Sequence, residues 1–124
     1  MANELILIVE DNPQSLKLVR DILQAKGYQT LEAETGEEGV RLARERQPAL
    51  ILMDIQLPGI NGIEALHRLR ADPVTSSIPV IAVTASVMTQ DRSRIMDAGF
   101  DGFQSKPISI NQLLAAVRDA LDKP

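Results

Sequence analysis

The sequence predicts an α/β fold in which five parallel strands alternate with five helices that cover both faces of an open sheet. Three short runs are apolar throughout, at 5–9, 50–53 and 80–83. Continuously apolar strands are typical of a parallel sheet that is buried on both faces. The segments between these runs have helical periodicity, which completes the alternation. The pattern therefore indicates right-handed crossovers and a doubly wound sheet.

The first helix is marked at both of its ends. Asn12 suits the N-cap, and Pro13 suits the first helical position, where an N–H would have no partner inside the helix. Gly27 is placed to end this helix in a left-handed conformation. A weaker strand fits the gap that follows, at 28–32. The first strand, the first helix and the second strand are thus assigned.

The second and third helices also carry start signals. Thr35 and Glu38 form a capping box for the second helix, which Pro48 stops. The third strand, at 50–53, leads to a third helix that opens at 61–62. The residues of this helix that we expect to face inward are Ile63, Leu66 and Leu69.

The last third of the chain continues the alternation. The fourth strand, at 80–83, precedes a fourth helix at 88–98 that stops at Gly99, with a weaker fifth strand at 102–105. The residues expected on the inner face of the fourth helix are Met88, Ile95 and Met96. Ser109 and Gln112 form a capping box for the fifth helix. Its apolar stripe consists of Ile110, Leu113, Leu114, Val117 and Leu121.

The order of the strands follows from their hydrophobicity. The first, third and fourth strands are the wholly apolar ones, so we expect them at the centre of the sheet. The second and fifth strands should then form the two edges. A strand order of 2-1-3-4-5 satisfies both conditions.

Composition excludes several classes of protein. The 124 residues contain no cysteine, which excludes a disulfide scaffold, a zinc–thiolate site and a cysteine nucleophile. The 13 basic and 17 acidic residues give a net charge of −4, which disfavours binding to nucleic acid or to anionic lipid. One tyrosine and two phenylalanines are too few for base-stacking platforms.

The length and the apolar runs predict where the protein acts. A chain of 124 residues is enough for one domain with its own core. Its first apolar run is only five residues long, whereas a membrane span needs about 20. We therefore expect a cytoplasmic protein that consists of one domain over 1–124, with no output domain.

Polar residues follow four of the predicted strands. The first strand ends in Glu10 and Asp11, the third in Asp54, the fourth in Thr84 and the fifth in Lys106. In an open α/β sheet, ligands bind outside the carboxyl ends of the strands, where the strand order reverses. We therefore expect three acids, a hydroxyl and an ammonium to converge at this edge.

These residue types in one place indicate phosphoryl chemistry. Three neighbouring carboxylates repel one another, and Lys106 offsets only one charge. A divalent cation would offset the rest, and ligands that are all oxygen favour Mg²⁺. Asp54 is best placed as the nucleophile, because an aspartate can form an acyl phosphate. The metal and the lysine would neutralise charge on the transferring group.

Four motifs in order carry a resemblance to a known family. They lie at 9–12, at 53–62, at 83–85 and at 105–107, and read VEDN, MDIQLPGING, VTA and SKP. With these motifs the chain resembles the receiver domain of two-component response regulators, of the CheY-like, single-domain kind. The resemblance covers essentially all of 5–121 and implies a flavodoxin-like (βα)5 fold.

The resemblance implies a role for each residue of the predicted site. Asp54 would be the phospho-acceptor and Lys106 a partner of the phosphoryl group. Glu10 and Asp11 would hold Mg²⁺ together with Asp54 and the backbone carbonyl of Gln56. The protein would catalyse only its own phosphorylation and dephosphorylation.

The resemblance also implies a switch. Thr84 would bond the phosphoryl group, and Phe103 occupies the position of the switch aromatic. Because phenylalanine has no hydroxyl, burial alone would hold its inward rotamer. The peptide bond between Lys106 and Pro107 is cis in similar proteins. Gln56 and Ser86, two residues beyond Asp54 and Thr84, lie where similar proteins control attack by water.

Partners and alternative functions follow from the same resemblance. A histidine kinase or a histidine phosphotransfer protein would donate the phosphoryl group. A downstream protein would bind the face made by the fourth helix, fifth strand and fifth helix. One alternative is a binding module that works without phosphorylation. A second is an aspartate-nucleophile phosphatase, although that chemistry needs an acid where this chain has Gln56. A third is a fragment of a hybrid histidine kinase or of a DNA-binding response regulator.

Overall fold

Five strands and five helices alternate along the chain in the computed structural model, which describes residues 4–85 and 89–122. The strands are β1 (Leu5–Val9), β2 (Gln29–Ala33), β3 (Leu50–Asp54), β4 (Val80–Thr84) and β5 (Gly102–Ser105). The helices are α1 (Pro13–Ala25), α2 (Gly36–Arg46), α3 (Gly62–Ala71), α4 (Thr89–Asp97) and α5 (Ile110–Asp122). Within the described ranges, no helix combines the length and the apolar character that crossing a membrane requires.

The strands form one parallel sheet in the order β2-β1-β3-β4-β5, which confirms the predicted topology. The register aligns Val9 of β1 with Met53 of β3, so that β3 ends one residue beyond the end of β1. The strand order reverses between β1 and β3, since β2 lies on one side of this pair and β4 and β5 lie on the other. The carboxyl end of this pair is therefore where the fold opens a cleft.

The core consists of two apolar layers, one on each face of the sheet. On one face, residues such as Leu7 and Ile51 pack with buried side chains of α2, α3 and α4. On the other face, their chain neighbours Ile6 and Leu50 pack with α1 and α5. Successive residues of a strand point to opposite faces, which explains why the central strands had to be apolar throughout.

The predicted starts of α1 and α2 are confirmed. The Asn12 Oδ1 atom accepts hydrogen bonds from the backbone N–H groups of Gln14 and Ser15, at 2.9 and 3.1 Å. The Oγ1 atom of Thr35 accepts from the N–H of Glu38 at 3.1 Å. The Glu38 carboxylate accepts from the N–H of Glu34 at 2.9 Å. A capping box would use the N–H of Thr35, so the donor lies one residue earlier than expected.

Three strands differ slightly from their predicted bounds. β2 runs one residue later than the predicted 28–32, while β3 and β4 each include one further residue, Asp54 and Thr84. Asp54 is aligned with Val83, and Thr84 with Ser105. The polar residue at each of these strand ends thus still belongs to the ladder, which fixes its backbone position.

Two residues predicted to face inward do not. Met96 is 40% exposed, because Ile95 beside it takes the buried face of α4. Ile110 is 55% exposed, because it is the first residue of α5 and the packed stripe begins only at Leu113. Met88, which was expected in the same core, lies outside the described residues.

The start of α3 approaches the end of β3 closely at Gly62. The N–H of Gly62 donates to the carbonyl oxygen of Ile55 at 2.9 Å. A Cβ atom at position 62 would collide with the carbonyl oxygen of Asp54 and would lie 2.9 Å from the Cα atom of Ile55. Both obstacles are backbone atoms, which cannot rotate away. Only glycine fits this contact.

We expect Gly62→Ala to lower the free energy of unfolding by about 1–3 kcal/mol, because the β3–α3 loop must shift to admit the methyl group. Chemical denaturation measures this change. Arg68→Ala, at an exposed position of the same helix, should change the value by less than about 0.5 kcal/mol. Equal stability of Gly62→Ala and the wild type would contradict the close approach.

Candidate functional site

Three carboxylates lie together at the carboxyl ends of β1 and β3. Glu10, Asp11 and Asp54 each place one carboxylate oxygen within 4.8 Å of those of the other two. Glu10 and Asp54 are each only 4% exposed, whereas Asp11 is exposed. The convergence expected from the strand order is therefore present, with two of the three acids buried.

Lys106 reaches the same cluster from the end of β5. Its Nζ atom lies 2.8 Å from Oε1 of Glu10 and 3.4 Å from Oδ2 of Asp54. The backbone N–H of Lys106 donates to the carbonyl oxygen of Thr84 at 2.8 Å, and the peptide bond between Lys106 and Pro107 is cis. One ammonium therefore bridges the two buried carboxylates.

Backbone N–H groups orient both buried carboxylates. The N–H of Gln56 donates to Oδ1 of Asp54, and the N–H of Asn12 donates to Oε2 of Glu10, each at 3.2 Å. A cleft of about 440 Å³ lies over the cluster. Its lining residues are Glu10, Asp11, Asn12, Pro13, Asp54, Gln56, Ala85 and Lys106.

Burial and mutual repulsion shift the titration of the pair. Burial, together with the hydrogen bond and negative charge of Glu10, raises the pKa of Asp54 to about 7, and Lys106 offsets only part of this. Burial also acts to raise the pKa of Glu10, but hydrogen bonds from Asp54 and Lys106 outweigh it and leave that pKa below its ordinary value. The pair therefore resists full ionisation, and Asp54 is the acid whose pKa is raised.

The lysine responds to the same surroundings. Burial acts to lower the pKa of Lys106, but its hydrogen bond to Glu10 and the charge of Asp54 more than compensate, so the pKa lies above its ordinary value. Lys106 is therefore a fixed positive charge at this edge of the sheet.

The cluster has the composition of a divalent cation site. Carboxylate oxygens are the ligands that Mg²⁺ prefers, and the cluster consists of carboxylates only. Two negative charges would remain beside Lys106 when all three acids are ionised, which a divalent cation would balance. Glu10, Asp11 and Asp54 are thus able to hold a metal ion.

Thr84 and Phe103 lie beside this cleft rather than in it. Thr84 ends β4, is buried, and lines a second cavity of about 590 Å³ between α3 and α4, which Gln56 also lines. Phe103 is half-buried on β5, where it is aligned with Ala82, two residues before Thr84. The predicted switch residues therefore lie on adjacent strands, two register positions apart.

The chain matches the family model of the response regulator receiver domain over residues 6–118. It belongs to this family. The resemblance drawn from the four motifs is confirmed, as is the flavodoxin-like fold.

Named relatives of the receiver domain agree with this assignment. The polar-differentiation response regulator DivK of Brucella abortus is 45% identical over 116 residues, which are 94% of each chain. The receiver domain of a sensor histidine kinase from Pseudomonas aeruginosa superposes with a TM-score of 0.92 at 30% identity, over 98% of this chain and 100% of that one. That crystal structure has a magnesium ion coordinated in its active-site cleft.

A second solved structure agrees as well. A CheY-like receiver domain protein from Methanospirillum hungatei superposes with a TM-score of 0.86 at 30% identity, over 98% of this chain and 95% of that one. Receiver domains of different origin thus share this backbone arrangement.

One contact of the receiver domain was missed by reasoning from the sequence. The guanidinium carbon of Arg92 lies 5.3 Å from the centre of the Phe103 ring. We had expected burial alone to hold the ring, but the ring also has this contact with Arg92. No local pattern could reveal the pair, because the packing of α4 on β5 brings the two residues together. Ser86, the other residue expected to act on water, lies outside the described residues.

The raised pKa of Asp54 gives a prediction for stability against pH. Between its ordinary pKa, about 4, and about 7, the folded receiver domain holds the Asp54 proton more tightly than the unfolded chain does. The contribution of this group to stability therefore falls as pH rises through that range. Without metal, Asp54→Asn should stabilise the fold by on the order of 2 kcal/mol at pH 8, and by clearly less at pH 5.

Urea denaturation in the presence of a chelator, at pH 5 and pH 8, measures the effect. Asp119→Asn removes an exposed carboxylate of α5 and is the matched control, with a small expected effect on stability. A gain from Asp54→Asn that is the same at both pH values would contradict the repulsion between Asp54 and Glu10.

Proposed function

We propose that the chain is a phospho-accepting receiver that takes a phosphoryl group onto Asp54 from a phosphohistidine. The observation that supports this is the Asp54 carboxylate itself, which is buried, oriented by the N–H of Gln56 and flanked by Glu10 and Lys106. The donor is a histidine kinase or a histidine phosphotransfer protein, as membership of the family implies.

The transfer step is a substitution at phosphorus. An Asp54 carboxylate oxygen forms the new bond to phosphorus while the bond from phosphorus to the donor's imidazole nitrogen breaks. The leaving imidazole takes up a proton from solvent and departs neutral, and Asp54 carries an acyl phosphate. The chemistry needs Asp54 ionised, which its raised pKa opposes in the absence of a metal ion.

Magnesium fits this step as cofactor. We assign Glu10, Asp11 and Asp54 as its carboxylate ligands, with the backbone carbonyl of Gln56 as the remaining protein ligand. Mg²⁺ bound there would favour the ionised form of Asp54 and would balance negative charge on the transferring phosphoryl group. Magnesium in the cleft of the Pseudomonas relative supports the assignment.

Lys106 supplies the second positive charge. Its Nζ atom is already within 3.4 Å of the Asp54 carboxylate, so a small movement would bring it to an oxygen of the phosphoryl group. The ammonium would then leave Glu10 and neutralise charge on the product. We therefore assign Lys106 to stabilisation of the phosphorylated form.

Thr84 and Phe103 form the proposed switch. The hydroxyl of Thr84 would move to bond the phosphoryl group, and the Phe103 ring would fill the space that it leaves. The repacking would change the face made by α4, β5 and α5, where a downstream protein would bind. Such a population shift requires only that phosphorylation favour one packing by a few kcal/mol.

A small apolar groove beside the cleft is suited to the donor. It has a volume of about 170 Å³ and lies between the start of α1 and the segment after β5. Leu18, which is 41% exposed, contributes to its wall with Pro107 and Ile108. Because Lys106 lines both the groove and the cleft, a donor seated in the groove would present its phosphohistidine close to Asp54.

Two further assignments complete the proposal. The domain would act alone in the cytoplasm, with no enzymatic activity beyond its own phosphorylation and dephosphorylation, and its output would pass through contacts with another protein. A binding module that works without phosphorylation would show the same partner affinity with and without a phosphoryl group on Asp54. The full reading frame distinguishes a stand-alone regulator from part of a longer kinase or DNA-binding regulator.

The acceptor assignment gives a direct prediction. With Mg²⁺ and a small phosphodonor such as acetyl phosphate, the wild type should gain one hydroxylamine-sensitive phosphoryl group, and Asp54→Ala should gain none, because the nucleophile is absent. Intact mass spectrometry at low temperature measures this gain. Asp11→Asn should still fold but label more slowly. Labelling of Asp54→Ala at the wild-type level would rule out Asp54 as the phospho-acceptor.

Gln56 gives a prediction for the lifetime of the phosphoryl group. Its exposed side chain follows the acceptor by two residues and lines both cavities next to it, where it meets incoming water. Gln56→Ala should change the rate of dephosphorylation more than the yield of phosphorylation. Gln112→Ala, at an exposed position of α5, is the matched control. Release of inorganic phosphate measures the decay. Equal rates of decay for Gln56→Ala and the wild type would refute this role.

A further inference from the structure

The Phe103 ring has a partner on the neighbouring helix. The guanidinium carbon of Arg92, on α4, lies 5.3 Å from the centre of the ring, within the range over which a cation is attracted to an aromatic face. Phe103 is half-buried, and its side chain also packs against the core layer under α2, α3 and α4. The ring is therefore held between that core layer and the guanidinium of Arg92.

We propose that Arg92 is a positioning residue that holds the Phe103 ring in this place and so opposes the switch. The inference rests on the proposed function, in which the ring moves when Asp54 is phosphorylated. Arg92 touches neither the acids nor a reacting group, so it acts only through the ring. It supplies the directional contact that a phenylalanine side chain, lacking a hydroxyl, cannot make by hydrogen bonding.

The position of the ring explains why such a contact matters. β5 is an edge strand, so Phe103 has a strand neighbour on one side only, and α4 packs on the face of the sheet where the Phe103 side chain lies. The guanidinium of an exposed arginine can follow small movements of α4, but it loses its attraction once the ring turns away. The contact therefore stabilises one ring position over others.

The contacts of Lys106 indicate which arrangement Arg92 stabilises. The Nζ atom of Lys106 lies 2.8 Å from Glu10 and 3.4 Å from Asp54, so its charge is directed to the carboxylates. A phosphoryl group on Asp54 would compete for this same ammonium. The arrangement in which Arg92 covers Phe103 is thus the one before phosphorylation, and loss of Arg92 should ease the change to the other.

Binding of beryllofluoride with Mg²⁺ tests the inference, because beryllofluoride on an aspartate mimics an acyl phosphate. Arg92→Gln should bind it about two- to fivefold more tightly than the wild type, the factor expected for one exposed cation–aromatic contact. Arg92→Lys keeps a cation and should lie close to the wild type. Arg46→Gln, on the exposed surface of α2, removes the same charge and should have no effect.

A second background shows whether the effect passes through the ring. In Phe103→Leu, which keeps an apolar side chain but no aromatic face, Arg92→Gln should no longer change the affinity. An equal effect in both backgrounds would overturn the inference, as would weaker binding by Arg92→Gln, or an effect no larger than that of Arg46→Gln.

Fluorine resonances of 4-fluorophenylalanine separate this inference from the proposed function. The protein has two phenylalanines, and the buried Phe100 serves as an internal reference. Without ligand, Arg92→Gln should shift the resonance of Phe103 and leave that of Phe100 in place. An unmoved Phe103 resonance would overturn the contact, even if beryllofluoride binds. A wild type that fails to bind beryllofluoride would instead overturn the proposed function.

Discussion

Two buried carboxylates that share one ammonium are the interaction on which the rest of this receiver domain depends. Glu10 and Asp54 lie side by side at 4% exposure, and Lys106 reaches both. Without the lysine, two like charges in a buried site would disfavour the fold; the lysine offsets part of this repulsion, and the pKa of Asp54 still rises to about 7. The site is therefore short of positive charge, and this shortage is what a divalent cation and a phosphoryl-transfer reaction can use.

The topology of the sheet makes this arrangement possible. β1 and β3 are adjacent although α1, β2 and α2 separate them in the chain, so residues 10 and 54 meet at one edge. Lys106 is tied to the same edge by its backbone hydrogen bond to Thr84 on the neighbouring strand. Gly62 allows α3 to start directly against the backbone of Asp54. The acceptor thus stands at the buried end of a central strand, while the groove by Leu18 and the Arg92–Phe103 contact lie at the periphery, where partners have access.

Much of this could be predicted from the sequence, for physical reasons that apply locally. Apolar runs revealed the central strands, and side chains such as Asn12 and Thr35 revealed the helix starts, because capping bonds join residues two or three positions apart. The site was predictable because strand ends in a parallel sheet converge. The exposure of Met96 and Ile110 could not be predicted, because it depends on how each helix is rotated against the sheet. Nor was the contact of Arg92 with Phe103, which exists only once α4 has packed on β5.

The stability of Lys106→Met with and without Mg²⁺ tests the central interaction most directly. At pH 7.5 with a chelator, the variant should lose roughly 2–4 kcal/mol of unfolding free energy, because removal of one partner leaves the buried carboxylates unpaired. Saturating Mg²⁺ should recover a large part of that loss, since the metal replaces the missing charge. Lys17→Met, which breaks an exposed ion pair with Asp21, should cost less than about 1 kcal/mol. A Lys106→Met protein as stable as the wild type without metal would contradict the account.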